Sequence, residues 1–269
     1  MSIQKIARLA GVSVATVSRV LNNSDTVKAK NRERVLQAIK ESNYQPNLLA
    51  RQLRTARSNM ILVMVSNIAN PFCAEVVKGI EEEAEKNGYR ILLCNSGSDL
   101  ARSTSGLQLL SGKMVDGIIT MNALSSLPEL TTMIGDAPWV QCAEYADNGS
   151  ISCVGINDVD AAQGAVSRLV DGGRKRIALI NHDLSYRYSR LRERGYKSVL
   201  HVRELAYQQV IYASDLSAAA GKQAMETLLA QEEQPDAVFA VSDSLAAGAL
   251  RAIAPVSYTH LTLPTICSV

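Results

Sequence analysis

The clearest chemical signal in the sequence is a run of short side chains with one arginine, between residues 14 and 19. Thr16 and Ser18 carry hydroxyls that can hydrogen-bond to phosphate oxygens, and the guanidinium of Arg19 matches the two acceptors of guanine. Val14 and Ala15 can contact base edges or the methyl group of thymine. These residue types at this spacing indicate a helix face that reads double-stranded DNA.

Two short helices joined by a tight turn are predicted to position these residues. Gly11 supplies the turn, because glycine takes a positive φ at little steric cost, and Ser13 is placed to cap the second helix with its hydroxyl. The second helix, residues 14–21, is expected to bury Val17 with Val20 or Leu21. The inner face of the first helix is predicted to comprise Ile6, Leu9 and Ala10. A third helix is predicted over residues 29–42, with Val35, Leu36 and Ile39 facing inward.

Charge is distributed unevenly along the chain. Residues 1–57 hold eleven lysines and arginines against three acidic residues, whereas the remainder holds seventeen against twenty-three. A basic segment that coincides with the two predicted helices suggests contact with a polyanion. The acidic remainder is not expected to share that partner.

From residue 60 the pattern changes to apolar runs that alternate with amphipathic segments. Residues 60–65 form a continuous apolar run, as expected of a strand buried on both faces, and residues 70–87 read as a helix. Later boundaries include a helix end at residues 107–114 and a helix over residues 190–202. Repeated βα units predict an α/β fold with doubly wound parallel sheets.

The N-terminal motifs resemble the LacI/GalR family of bacterial repressors. The resemblance is carried by I-A-R-L-A-G-V-S-V-A-T-V-S-R-V-L-N and by Tyr44-Gln45-Pro46-Asn47, with Ala50 and Leu53 beyond it. It implies a helix-turn-helix headpiece over residues 1–46, a hinge over 47–58, and a two-lobed sensor similar to periplasmic binding proteins. The lobes are expected at residues 59–156 and 157–254.

The resemblance also implies which residues contact an operator. Arg19, with Val14 and Ala15, is expected to read bases, and Leu53, with Ala50 beside it, matches a hinge leucine that opens a base step in the minor groove. The positions that match phosphate contacts are Ser13, Thr16, Ser18, Asn22, Lys28, Asn31, Tyr44 and Asn47. A helix-turn-helix normally reads a two-fold site, so a homodimer on a pseudo-palindrome is expected.

A small-molecule effector is expected in the cleft between the lobes. Arg192 matches the family's ligand-binding arginine and Phe72 the first of two aromatic positions, whereas Cys73 replaces the second aromatic residue. Asp215 and Leu216 lie where the family carries another aromatic contact. The stretch Ala143-Glu144-Tyr145-Ala146, with Asn70-Pro71-Phe72, is similar to nucleoside-responsive regulators of the cytidine type. A nucleoside, a purine or a sugar is therefore the expected ligand.

Residues 255–269 match nothing in the family pattern. They read as an unrelated tail on a truncated second lobe, with a genuine alternative ending as the other interpretation. Truncation makes a constitutive DNA binder with a defective sensor a competing hypothesis.

Other classes of protein have less support. The sequence contains no phosphate loop, no G-x-G-x-x-G after a strand and no G-x-S-x-G, and its three histidines lack metal-ligand spacing, so neither an enzyme nor a cofactor or metal site is expected. A solute-binding protein would need a signal peptide, which is not evident at Met1. The five cysteines are predicted to be buried free thiols, and a cytoplasmic protein without a membrane span is expected.

Overall fold

The computed structural model describes residues 2–21, 26–44, 52, 57–97, 99–122, 128–145 and 151–253. The chain divides into two compact units, residues 1–58 and 59–269. The first unit contains the helices α1 (Ile3–Ala10), α2 (Val14–Leu21) and α3 (Ala29–Ser42). The second alternates parallel strands with helices, and the predicted α/β fold class is confirmed.

The first unit is built around Ile6, Val17 and Val35, which are fully buried. Two predicted core residues were wrong: Leu9 is 59% exposed and Leu36 is 53% exposed. Ala7 and Ala38, each two positions away and so on the opposite side of the same helix, are buried instead. Small side chains let short helices cross closely, so the core faces are centred on the alanines rather than on the larger leucines.

The second unit begins with a lobe whose sheet has five strands. The elements in chain order are β1 (Met60–Val65), α4 (Pro71–Lys86), β2 (Arg90–Asn95), α5 (Leu100–Ser111), β3 (Gly117–Thr120), α6 (Pro128–Ile134), β4 (Trp139–Cys142) and β5 (Ser152–Val154). The spatial order is β2-β1-β3-β4-β5, with every pair parallel. One face of β1 packs Leu62 with Leu107 and Leu130, and the other packs Val63 with Val77. Helices therefore cover both faces, as in a doubly wound sheet.

A second lobe repeats this arrangement, with three strands among the residues that the structure describes. It comprises α7 (Asp158–Asp171), β6 (Ile177–Asn181), α8 (Arg187–Val202), β7 (Gln209–Tyr212), α9 (Ala218–Leu229), β8 (Ala237–Ala240) and α10 (Asp243–Ile253). The spatial order is β7-β6-β8. In both lobes the strand order reverses beside the first strand, and the crevice at the carboxyl ends of the strands is where such folds bind ligands.

One helix start was not predicted and another differs from the prediction. The sequence predicted only the end of α5, at residues 107–114, and the helix begins at Leu100, where the Asp99 carboxylate accepts hydrogen bonds from the backbone N–H groups of Ala101 and Arg102. Helix α8 begins at Arg187 rather than residue 190. Its first turn holds residues of the candidate ligand cleft described below.

The cysteines do not form a uniform buried set. Cys73 is buried, Cys94 and Cys142 are half-buried, and Cys153 is exposed, so the prediction was wrong for Cys153. Burial raises the pKa of the first three thiols. Cys267 lies outside the described residues. Across the described ranges, no helix is long and apolar enough to span a membrane.

Candidate nucleic-acid interface and ligand cleft

The turn between α1 and α2 has the geometry that a helix-turn-helix needs. Gly11 ends α1 with φ 60°, and its N–H bonds back to the carbonyls of the preceding turn. The Ser13 hydroxyl accepts the Thr16 N–H at 3.1 Å and lies 2.9 Å from the Thr16 hydroxyl. The start of the second helix is thus capped by a side chain directly before it.

Helix α2 has one buried face and one available face. Val17 and Val20 pack into the core with Ile6 and Val35. On the other side Val14 is 41% exposed, and Ala15 and Arg19 are exposed. Thr16 and Ser18, which are half-buried, flank this surface. The face therefore combines an arginine with short side chains, as base-edge contact requires.

The remaining predicted DNA contacts divide into two groups. Lys28 and Asn31 lie at the start of α3, and Tyr44 follows its end, where the Tyr44 N–H bonds to the Ile39 carbonyl. The other four predicted contacts lie outside the described residues: Asn22, Asn47, Ala50 and Leu53.

An aromatic cluster occupies the carboxyl end of β6 and the first turn of α8. His182 Nδ1 lies 3.0 Å from the Tyr188 hydroxyl, and the His182 ring centroid is 5.1 Å from that of Tyr186. The Tyr186 and Tyr188 rings are 5.7 Å apart. These distances are typical of stacked and tilted aromatic pairs. Burial lowers the pKa of His182, an effect that Asp183 and Asp215 partly oppose.

A polar network below this cluster fixes the position of His182. The Asn181 side chain accepts the His182 N–H at 2.8 Å and donates to Glu193 at 2.9 Å. Glu193 also accepts the Tyr212 hydroxyl and pairs with Lys197. Because Asn181 and Glu193 are almost fully buried, this network is rigid.

Arg192 lies beside the aromatic cluster and joins three elements of the second lobe. Its Nε is 2.9 Å from the buried Asp158 carboxylate, and its Nη1 donates to the Val241 carbonyl at 2.7 Å. Its guanidinium carbon lies 5.5 Å from the Tyr188 ring centroid. The predicted ligand arginine is therefore held in place by the protein, with its side chain 25% exposed.

The other predicted ligand residues have different surroundings. Phe72, in the first turn of α4, is 43% exposed, whereas Cys73 is buried among Val63, Val65 and Val77. Asp215 is exposed, and hydrogen bonds from the hydroxyl and the backbone N–H of Ser217 lower its pKa. Leu216 packs on the core of the second lobe. Two of these predicted residues lie at the aromatic cluster. Arg192 lies beside the Tyr188 ring, and Asp215 is close enough to His182 for their charges to interact.

The start of α8 is capped by the other lobe. Glu144, two residues beyond β4, accepts the Arg187 N–H at 2.6 Å and the Tyr188 N–H at 3.5 Å. The cap residue Tyr186 makes no side-chain cap of its own. Ala143, with φ 66°, turns the chain so that Glu144 reaches the helix. Burial raises the pKa of Glu144 despite these hydrogen bonds. We call the contact of Glu144 and Tyr145 with α8 the interlobe clasp.

Comparison with known proteins identifies the family. Residues 2–47 match the bacterial regulatory proteins of the lacI family, and residues 58–255 match the periplasmic binding proteins and sugar binding domain of the LacI family. The chain belongs to the LacI family. It is therefore a DNA-binding transcriptional regulator and not an enzyme.

Several LacI-family proteins are similar over most of their length. The ribose operon repressor of Halalkalibacterium halodurans is 34% identical over 93% of this chain and 74% of its own. The lac repressor dimer bound to operator and the anti-inducer ONPF superposes with a TM-score of 0.83, at 29% identity over 95% of this chain and 78% of the other. An uncharacterized protein from Actinobacillus succinogenes is 60% identical, with a TM-score of 0.71 over 74% of each chain.

Sequence reasoning missed several residues of this cleft in the LacI-family chain. His182, Tyr186 and Tyr188 were not proposed, although three aromatic rings directly after a buried strand were a usable signal. Glu144 was noticed only as part of a resembling stretch. Its role depends on a contact 43 residues away, which no local pattern reveals.

Proposed function

We propose that this protein regulates transcription by binding a pseudo-palindromic operator as a homodimer, with its affinity set by a small ligand in the cleft. The observation that carries the DNA half is the exposed face of α2, which offers Val14, Ala15 and Arg19. A capped, rigid helix with this face suits the major groove. The protein would act in the compartment that contains the DNA, the bacterial cytoplasm.

In this proposal Arg19 donates to guanine, and Val14 and Ala15 contact neighbouring base edges. Phosphate contacts would come from the hydroxyl and amide side chains, from Lys28 and from Tyr44, and they would supply affinity rather than sequence choice. Leu53, with Ala50, would enter the minor groove between two half-sites. Two apolar specificity residues predict an operator with thymine methyl groups beside the guanine.

The effector half rests on the aromatic cluster and Arg192. Three rings and a guanidinium within stacking distance suit a flat heterocycle joined to a hydroxyl-bearing ring, as in a nucleoside. Phe72, exposed on the first lobe, would face the same ligand. The H. halodurans relative is named as a repressor of the ribose operon, and a free pentose is the second candidate.

Operator selection from random duplex DNA tests the DNA half. The wild-type chain should enrich a two-fold site, and Arg19→Ala should lose 10- to 100-fold in affinity and relax one position of each half-site, as loss of a bidentate base contact implies. Lys30→Ala, on the outer side of α3, is the matched control and should lower affinity equally for every sequence. A uniform loss from Arg19→Ala would contradict the assignment.

Calorimetric titration with nucleosides, purines and pentoses tests the effector half. A nucleoside should bind with micromolar affinity, and Tyr188→Ala should weaken it more than tenfold, since stacking is removed. Tyr89→Ala, in the loop before β2, is the control. A folded protein that binds none of the panel would refute the effector assignment and leave the DNA-binding role intact.

A further inference from the structure

A recess of about 420 Å³ opens beside α8. Its lining includes Tyr145, Asn157, Asp158, Arg187, Leu191 and Arg194. The three residues from α8 are spaced by four and three, so they share one side of the helix. Tyr188 and Arg192 lie roughly 100° further round the helix, and neither lines the recess.

One wall of this recess is formed by the Arg187 guanidinium, which stacks on the Tyr145 ring. The Arg187 guanidinium carbon lies 4.1 Å from the Tyr145 ring centroid. A Cβ on Gly155 would come within 2.6 Å of Tyr145 Cε1, so a side chain at this position would force the ring to move. The Tyr145 ring thus packs closely against both the Gly155 backbone and the Arg187 guanidinium. A ligand would enter a site that is already shaped.

Positive charge exceeds negative charge around the recess. The Asp158 carboxylate is 2.9 Å from Arg192 Nε and 3.8 Å from Arg187 Nη1, so its charge is shared by two guanidiniums. The Glu144 carboxylate is engaged in the clasp. Arg194 is exposed, and within the described ranges it makes no hydrogen bond or ion pair. The lining therefore holds the two guanidiniums of Arg187 and Arg194 against the single carboxylate of Asp158, and Arg194 is available to an incoming anion.

We propose that this recess binds a small anion through Arg194 and Arg187, namely the phosphate or carboxylate group of a metabolite. A guanidinium fork matches both groups. Tyr145 follows β4 of the first lobe, whereas both arginines belong to the second, so a bound anion would reinforce the interlobe clasp. Neither Tyr188 nor Arg192 lines the recess, although Asp158 in its lining pairs with Arg192, so the proposal does not require the nucleoside assignment.

Thermal unfolding of the full-length chain tests this site. Melting temperature is measured in potassium phosphate or potassium succinate against potassium chloride at matched ionic strength. A specific site gives a saturable rise, since ligand binding to the folded state stabilises it. Arg194→Ala should weaken the apparent affinity at least fivefold, whereas Arg251→Ala, an exposed arginine on α10, should not. General salt effects and phosphate binding by the basic headpiece would be equal in the two variants.

The results of this experiment distinguish a phosphate ligand from a carboxylate ligand, and the anion recess from the proposed nucleoside cleft. A response to phosphate alone identifies a phosphorylated ligand, and a response to both anions supports the shared chemistry. Tyr188→Ala should keep the full anion response even if it abolishes nucleoside binding. Equal responses of the wild type, Arg194→Ala and Arg251→Ala to both anions, or no saturable response in the wild type, would overturn the proposal.

Discussion

The Glu144 carboxylate accepts the backbone N–H of Arg187 at 2.6 Å, although the two residues belong to different lobes. Helix N-termini are usually capped by a residue directly before them. Here the cap is supplied from beyond β4, so the first turn of α8 is completed only when the lobes are together. Glu144 also accepts the N–H of Tyr188, so the contact holds the backbone of a residue of the aromatic cluster.

Replacing Glu144 should distinguish its hydrogen-bond role from its charge. Glu144→Ala removes the acceptor and should lower the free energy of unfolding by about 1–2 kcal/mol, the usual cost of a lost helix cap. Glu144→Gln retains an acceptor oxygen and should be nearly neutral at pH 7. Urea unfolding measures both, with the exposed Glu85→Ala on α4 as the control. Equal losses from the Ala and Gln variants would mean that the carboxylate charge is required.

The raised pKa of Glu144 predicts how the free energies of unfolding of the wild type and Glu144→Gln differ with pH. A raised pKa means that the folded state binds the proton more tightly than the unfolded chain. The wild type should therefore lose stability relative to Glu144→Gln as pH rises from the ordinary carboxyl range through the raised value. Unfolding at a series of pH values from 4 to 7 measures this difference, and a difference that grows in the opposite direction would contradict it.

His182 should make the stability of the protein depend on pH in the opposite direction. Burial lowers its pKa, so the unfolded chain binds the proton more readily, and stability should fall as pH drops from about 6.5 towards the lowered value. His182→Gln should remove this component, because glutamine does not titrate. His201→Gln, at the exposed end of α8, is the control. An unchanged slope between pH 5 and 7.5 in His182→Gln would refute the prediction.

Alanine substitution should have opposite effects on stability at two glycines that lie within helices. A Cβ on Gly195 would lie 2.6 Å from the Val159 carbonyl oxygen and 2.8 Å from Ala162 Cβ, so Gly195→Ala must push α7 and α8 apart. We expect a loss of about 1–3 kcal/mol, as for overpacking. Gly164, in the middle of α7, has open space around its missing Cβ, and Gly164→Ala should gain about 0.5–1 kcal/mol from helix propensity. Chemical denaturation measures both, and a destabilised Gly164→Ala would show that α7 is constrained in another way.

The sequence predicted most of the elements, because their signals are local. Gly11 and Ser13 marked the turn of the headpiece, and the apolar run of β1 marked a buried strand. Errors arose where helix crossing decided burial, since Leu9 and Leu36 are more apolar than the alanines that are buried instead. The start of α5 was missed because one carboxylate, Asp99, sets it.

The candidate cleft was less predictable than the fold. Arg192 was found from its motif, but its ion pair with Asp158 and its bond to the Val241 carbonyl join residues that are 34 and 49 positions away. The aromatic cluster forms because β6 and α8 place three rings together, and only the path of the chain shows this. The clasp depends on Ala143 taking a positive φ, which alanine seldom does.

The clasp makes two backbone amides into reporters of lobe separation. In an ordinary helix the first N–H groups exchange rapidly with solvent deuterium, because nothing holds them. Those of Arg187 and Tyr188 are bonded to a carboxylate of the other lobe. Their exchange should follow the rate at which the lobes part rather than the unfolding of α8. Any molecule that holds the lobes together should slow exchange at these two positions before it alters the rest of the helix.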